Sequence, residues 1–469
     1  MAPDDVERAL SDGDDDAARP LRDVASDDDG DDDDGGDARA QAGDVATIFA
    51  LWNTMVGSAV LAVPWAFTES GLALGAASAV AMTCAMAYTA TLVLRYGARG
   101  GHDDLAGMCG AALGPRARAG CNAAMALMMA QCVVVFDMML STSVYGIVKG
   151  FADLAKTRAS GGGATTATAL ASTLASSNST GWATCTNAAR DAAKCWNPFT
   201  AVGVTAVALM CLGSLKNLDG FVAVSVLGPF FMTYLILFIV FKSVVASAPV
   251  APIAPYANFS TFKKTAGVLS SCLFSHHAVI PVCRANSKSK NNGRNLLVAY
   301  VLALISYLAP ALAGNFSAAY VAVRRGPNGS SRAANFLRVF PPSDYYTLSA
   351  HVAVTVQFLT MVPLLLYILR TQVFGLLPRF PAKYHGAASF AVNFAAIAVG
   401  SFCAAHPDID IGMILSKCGA VFGLIFAYAA PVLVHVFGRR GNRHPLWNHI
   451  AHGTILAVGV AIALAQFVD

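Results

Sequence analysis

Residues 45–67, VATIFALWNTMVGSAVLAVPWAF, are apolar over a length that crosses a bilayer, yet Asn53-Thr54-Met55-Val56-Gly57-Ser58 interrupts them at mid-depth. A lipid-facing helix gains nothing from Asn and Gly there, because unpaired backbone groups are costly in hydrocarbon. Irregular backbone at that depth survives only where it lines a protein cavity. The plainer reading is an unbroken helix with one small-residue packing face. The sharper one is a discontinuous first helix, the device with which one class of secondary transporters builds its substrate and cation site. The rest of the chain bears on the choice.

Over its 469 residues the chain is 56% hydrophobic and 13% charged, with a mean hydropathy of +0.55. A soluble domain carries about a quarter charged residues. The sequence therefore predicts an all-α polytopic membrane protein. Eleven spans are expected, near 45–67, 71–94, 119–148, 199–215, 219–243, 262–283, 295–321, 347–369, 386–404, 411–437 and 450–468. No cleavable signal precedes the first, since residues 1–44 are acidic rather than basic and then apolar. That segment holds seventeen acidic residues and four arginines. It is expected to be a disordered cytoplasmic tail, either simply solvated or a docking segment for a basic partner whose identity the sequence does not give.

Eleven spans put the termini on opposite sides. With a cytoplasmic N-terminus, fifteen Lys and Arg fall on the short cytoplasmic loops and twelve on the longer opposite loops. Two other features agree. The sequons at Asn178, Asn258, Asn315 and Asn328 all fall on the non-cytoplasmic side, with Asn315 too near the membrane to be glycosylated. Cys185 and Cys195 share the loop 149–197 and are expected to pair in an oxidising lumen. The other cysteines lie in or beside spans and act as small hydrophobes.

Span six, FKKTAGVLSSCLFSHHAVIPVCR, echoes span one: Ser270-Ser271-Cys272 and Ser275-His276-His277 stand at mid-depth, then Pro281. Polar residues inside a span face the bundle interior. Spans one and six occupy matched positions in two five-span halves, 1–5 and 6–10. Matched interruptions point to an inverted-repeat transporter with its site at the midplane, plus an eleventh span. Packing hydrogen bonds are the alternative for His276 and His277.

At these residues the chain resembles the amino acid/auxin permease family, and within it a lysosomal sodium-coupled branch. The family's WNTMMGTSIL-like segment corresponds to Trp52–Leu61, with Pro64-Trp65 after it. Phe274-Ser275-His276-His277 and the loop KSKNNGRNL resemble its F-x-H-N segment and NN-x-R-x-L loop. QFLTMVPL, beginning at Gln357, resembles Q-x-x-T-x-x-P-L, and CGAVFGLIFAYAAP resembles a span-ten run. The chain departs from the pattern at Ser58, Ala59 and His277, which bears on substrate choice. The resemblance implies the LeuT-type 5+5 fold, amino acid transport and a lysosomal or vacuolar membrane. It assigns sodium ligation to Asn53 and Thr360.

An amino acid brings a carboxylate and an ammonium into a dry cavity. Amides freed at a broken helix suit the carboxylate, and the candidates are Thr54, Met55, Gly57 and Ser58. Carbonyls of the unwound stretches suit the ammonium, with Ser271 and His276 as the span-six contacts. Proton coupling competes with sodium through His276, His277 and Asp137. Asp137 is a lone acid in VVVFDMML, either a relay for a cation or proton or a buried acid paired with a hydroxyl. His449 and His452 have metal-like spacing but no further ligands, so an interface role is expected. The spans hold no HExxH, CxxC or paired-acid motif, so no enzyme is expected, and no cofactor or nucleic acid partner. A membrane amino acid sensor remains the alternative from another class.

Overall fold

A computed structural model describes residues 43–159 (except 103), 196–215, 227–245, 256–323 (except 318, 319, 321 and 322), 334–438 (except 378 and 407) and 446–468. Asn178, Cys185, Cys195 and Asn328 lie outside the described residues, as do the acidic tail up to residue 42 and residues 160–195 of the expected loop.

The chain begins with α1, Asp44–Met55, a 3-10 turn at Ser58–Leu61, and α2, Val63–Ser70. There follow α3, Leu72–Gly100; α4, Leu105–Leu113; α5, Pro115–Ala159; α6, Pro198–Gly213; and α7, Gly228–Val245. Span six is α8, Phe262–Cys272, and α9, His276–Arg284. Then come α10, Asn292–Asn315; α11, Tyr345–Gly375; and α12, His385–Ala405. The last elements are α13, Ile411–Gly423, a π-helical turn Leu424–Ala429, α14, Ala430–Phe437, and α15, Leu446–Ala465. Among the described residues nine helical segments are long and apolar enough to cross a membrane, counting α8–α9 and α13–α14 as one each. The split α1–α2 and the shorter apolar α6 stand beside them.

The first break is narrower than the sequence predicts. Helix α1 runs through Asn53 and Thr54 to Met55, and only Val56 (φ −86°, ψ 97°) and Gly57 (φ −129°, ψ −147°) leave helical geometry. Pro64 accounts for the resumption as a separate helix. It has no amide for the Val60 carbonyl, and its ring excludes a straight helix across that turn. In span six the non-helical residues are Leu273, Phe274 and Ser275. Pro281 then denies the His277 carbonyl its partner inside α9. The π turn precedes Pro431 in the same way.

Helix α5 extends the third span, expected at 119–148, to 45 residues. At about 1.5 Å per residue it is roughly twice the thickness of the hydrocarbon core. Residues 149–159, KGFADLAKTRA, contain one Gly and no Pro, so nothing stops the helix at the expected loop.

Lipid tails are as apolar as Leu, so close packing rather than transfer from water joins these helices. Two glycines set a seam in which backbone meets backbone. A Cβ on Gly267 of α8 would lie 2.1 Å from the Ser416 carbonyl oxygen, and one on Gly419 of α13 would lie 2.3 Å from the Gly267 carbonyl oxygen. On the other side of the bundle α5 packs along α11 and α12. Below, the outer end is that of Ser70 and the inner end that of Asp44.

Candidate functional site

The two breaks lie side by side. The 3-10 turn of span one packs on α8, α2 on α8, and α1 on α9. Helix α10 serves both. Its Tyr307 hydroxyl donates to the Met55 carbonyl at 2.6 Å, and the Gly57 amide and the Cys272 thiol meet the same oxygen. Two turns earlier, the Tyr300 hydroxyl pairs with Ser275 Oγ at 3.0 Å. One tyrosine thus caps the break in span one and the other the break in span six. Both are fully buried, at 1% and 0% exposure. The sequence reading missed them, although two tyrosines seven residues apart in an apolar span place two hydroxyls on one helix face.

Further contacts bind α10 along the whole of span one. Trp52 Nε1 donates to Ser306 Oγ at 3.0 Å, and Asn315 Nδ2 donates to the Pro64 carbonyl at 2.9 Å. Asn315, one of the sequons, is therefore a buried structural residue.

Thr54 and Met55 lie inside α1, so their amides belong to its last turn rather than to a free backbone. The Thr54 hydroxyl bonds back to the Leu51 carbonyl at 2.7 Å. Gly57 and Ser58 stand at the break itself, Ser58 buried. Ser271 faces α13, where Gly419 contacts it. The His276 ring pairs its Nε2 with Thr89 Oγ1 of α3 at 2.9 Å, and among the described residues neither its Nδ1 nor that of His277 has a partner. Phe274 stacks on His277 at 4.9 Å between centroids.

Asn53 sits in the last turn of α1 rather than in an unwound stretch. It and Gln357 of α11 both close on Gly228 of α7, where a Cβ would be 3.1 Å from both Asn53 terminal atoms and from Gln357 Nε2. Asn53 Oδ1 is buried without a hydrogen-bond partner among the described residues. Thr360 lies one turn beyond Gln357, its hydroxyl donating to the Gln357 carbonyl at 2.9 Å. Three elements, α1, α7 and α11, thus converge on an amide oxygen that has nothing to accept from among the described residues. That is the donor chemistry a small hard cation takes.

The two ends carry charge. At the inner end Asp44 accepts from Asn295 (2.9 Å), Asn291 (2.7 Å), Asn286 (3.2 Å) and Arg294 (3.1 Å). These donors, Asn295 foremost, hold its carboxyl down at about 2. At the outer end Lys264 of α8 pairs with the buried Glu69 of α2 at 2.8 Å, and Thr261 also donates to the Glu69 carbonyl. Asp410 caps α13 through the Gly412 amide at 2.8 Å. Burial pushes Asp410 up to about 6, against the pull of that amide and of Lys264 and Arg338.

The remaining singled-out residues are structural neighbours of these sites. His452 is buried at a helix interface, its Nε2 2.9 Å from the Tyr88 hydroxyl and its ring 4.9 Å from that of His435. Among the described residues no group of three His, Cys, Asp or Glu is placed to hold a metal ion. Asn258 is half-buried in an outer loop, with its side-chain oxygen accepting from Ser260.

Two interrupted membrane helices set against each other, each capped by a third, are the architecture of the LeuT-type fold. The structure of MhsT in complex with L-phenylalanine shares the fold, with a TM-score of 0.54 over 91% of this chain and 98% of that one at 11% identity. The chain belongs to the transmembrane amino acid transporter protein family, whose profile matches residues 41–468. Relatives include the sodium-coupled neutral amino acid transporter 9 homolog of Caenorhabditis elegans, 26% identical over 92% of this chain and 74% of the relative. The neutral amino acid transporter 9 of Xenopus tropicalis is 24% identical over 92% of this chain and 81% of its own. The protein is thus a multi-pass membrane protein of an amino acid transporter family.

Proposed function

We propose that this protein is a secondary active transporter that carries neutral amino acids together with sodium by alternating access. The observation that carries the sodium part is Asn53 Oδ1, a buried acceptor without a donor among the described residues, held near Gln357 where three helices meet. A buried acceptor left unsatisfied costs about 1–3 kcal/mol, and a bound cation removes that cost. Asn53 and Thr360 would hold the ion, and sodium would supply the positive charge that draws the substrate carboxylate to the neighbouring break.

The carboxylate would lie on the amides at Gly57 and Ser58, where α1 has ended and the next turn has not closed. To reach the Gly57 amide it displaces the Tyr307 hydroxyl. The ammonium would take carbonyls freed at Leu273–Ser275, beside Ser271 and His276. The sealed seam of α8 against α13 and the Glu69–Lys264 pair support a state closed at the outer end. Glycosylated Asn178, Asn258 and Asn328, and a Cys185–Cys195 disulfide, would place that end in the lumen of a lysosome or vacuole.

The test is uptake of the radiolabelled neutral L-amino acids, L-phenylalanine among them, into proteoliposomes with and without a sodium gradient. Sodium-driven accumulation is expected. Asn53→Ala or Thr360→Ala should raise the sodium needed at least tenfold, while His276→Ala and His277→Ala keep the wild-type requirement. Uptake that ignores sodium and follows pH refutes the sodium reading. Binding without flux would instead identify an amino acid sensor.

A further inference from the structure

We propose that Asp137 is a second ion site of this transporter, a carboxyl that takes up and releases a proton from the outer end. The inference rests on the transport reading above but on different residues.

Asp137 lies in the middle of α5 and has no exposed surface. Its Oδ2 accepts from Ser401 of α12 at 3.0 Å and its Oδ1 from Ser141 of α5 at 3.4 Å. No cation faces it. From α12 the titratable neighbour is the Cys403 thiol. Helices α5, α6, α11 and α13 bring no charged group to it among the described residues. Other titratable groups lie elsewhere on the same seams. His351 of α11 rests against Gly146, and Cys418 of α13 stands by Cys132. An acid inside a span without a counter-ion is expensive when ionised and is a functional-site hypothesis by default.

The surroundings select a proton over a metal ion. The carboxyl is pressed onto the backbone of α12, where a Cβ on Gly400 would be 2.6 Å from Oδ2. That leaves two hydroxyls as the other oxygens at hand, and a hard cation wants oxygens on most sides. A proton needs only the carboxyl. It also has a route. Ser401 is half-buried and four residues from the outer terminus of α12 at Ala405, about 6 Å at the helical rise. Its hydroxyl can pass a proton between water at that end and the carboxyl.

The position suits coupling. Phe136, next to Asp137, stacks on Phe358 of α11 with centroids 4.4 Å apart. Phe358 adjoins Gln357, whose side chain, like that of Asn53, closes on Gly228 of α7. The carboxyl's helix is thus packed in one seam along α11, the helix that carries Gln357 and the proposed sodium ligand Thr360. Losing or gaining charge at Asp137 changes how α12 is held against that seam.

Infrared difference spectroscopy of the purified protein between about pH 5 and about pH 8 tests the site without any substrate. A protonated-carboxyl band that appears at the lower pH in wild type and is lost in Asp137→Asn is expected. Ser401→Ala, which keeps the carboxyl, should move the midpoint of that band without abolishing it. A band that is absent, that stays constant across the range, or that survives in Asp137→Asn overturns the proposal. Proteoliposome uptake of a mixture of radiolabelled neutral L-amino acids at fixed sodium then tests coupling. Wild type should change uptake severalfold with outer pH, and Asp137→Asn should lose that response and keep its sodium requirement. An unaltered pH response in Asp137→Asn overturns the coupling role. If neither protein moves any amino acid, the transport reading falls with the coupling role, and the infrared titration still decides whether the carboxyl exchanges a proton.

Discussion

Tyr307→Phe tests how the break in span one is held. The substitution keeps the ring and deletes one oxygen, so it opens no cavity of note. That oxygen serves the Met55 carbonyl at 2.6 Å, the Gly57 amide and the Cys272 thiol. Two backbone groups at a helix end therefore lose their partner in a fully buried place. Each such loss costs about 1–3 kcal/mol in a protein core. Side-chain hydrogen bonds between membrane helices average nearer 0.6 kcal/mol, with a maximum of about 1.7. Between these scales the two groups together cost about 1.4–3 kcal/mol. If that energy stabilises the closed break, local opening becomes roughly 10–100 times more frequent. Amide hydrogen exchange in a nanodisc reads this directly: Val56–Ala62 should exchange 10–100-fold faster than in wild type, with α5 unchanged. Tyr300→Phe is the matched control, and it should speed exchange at Leu273–Ser275 while leaving Val56–Ala62 alone. If Tyr307→Phe leaves exchange at Val56–Ala62 as it was, or if the two variants act on the same segment, the tyrosines do not hold the breaks separately and the reasoning fails.

Other expectations follow from the seams and the two charged ends. Gly267→Ala puts a methyl group against the Ser416 carbonyl, a backbone atom that cannot step aside, so α8 and α13 must separate at a cost of about 1–3 kcal/mol. A lower thermal midpoint and faster thiol labelling of Cys272 should result, and unchanged values of both would show that the seam absorbs the methyl. Asp410 has its carboxyl raised to about 6 from 3.8, so its contribution to stability is complete below about pH 4 and is lost as pH rises through about 6, by up to about 3 kcal/mol. The thermal midpoint should fall over that window, and Asp410→Asn should flatten the slope; an equal slope in the variant refutes this. Asp44 has the opposite sign, being held at about 2, so its ties to α10 persist above about pH 4 and loosen only as pH falls toward 2. Asp44→Asn replaces an acceptor oxygen by a donor facing three asparagine amides, and hydrogen exchange over residues 45–50 should rise at neutral pH.

The one-dimensional pattern was enough for the membrane class and for the places where helices had to fail. An apolar run with Asn, Gly and a following Pro in span one, and Ser, His and Pro in span six, cannot be lipid-facing helices, because hydrocarbon offers their backbones no partner. That argument needs no tertiary information. Composition likewise separated the acidic first segment from the apolar remainder. What the pattern did not contain was which side chain meets which break. Asn53 looked unwound, yet the helix holds it and breaks two residues later, since Val56 and Gly57 leave helical geometry and Pro64 excludes a straight continuation. Thr54 and Met55 looked like free amides and are inside α1. Tyr300 and Tyr307 read as apolar span residues and became the caps of both breaks, because only the packing of α10 against spans one and six brings their hydroxyls there. Gln357 gained its place beside Asn53 through Gly228, a small residue whose role is visible only when α7 lies between α1 and α11. Asp137 was conspicuous as a lone acid, but its isolation from every cation among the described residues, and the hydroxyl of Ser401 from a helix more than 260 positions later, came from the fold. Local sequence fixes where a backbone cannot be satisfied by its own helix; only tertiary contact decides which distant group satisfies it, because those partners are set by packing across hundreds of residues rather than by any local period.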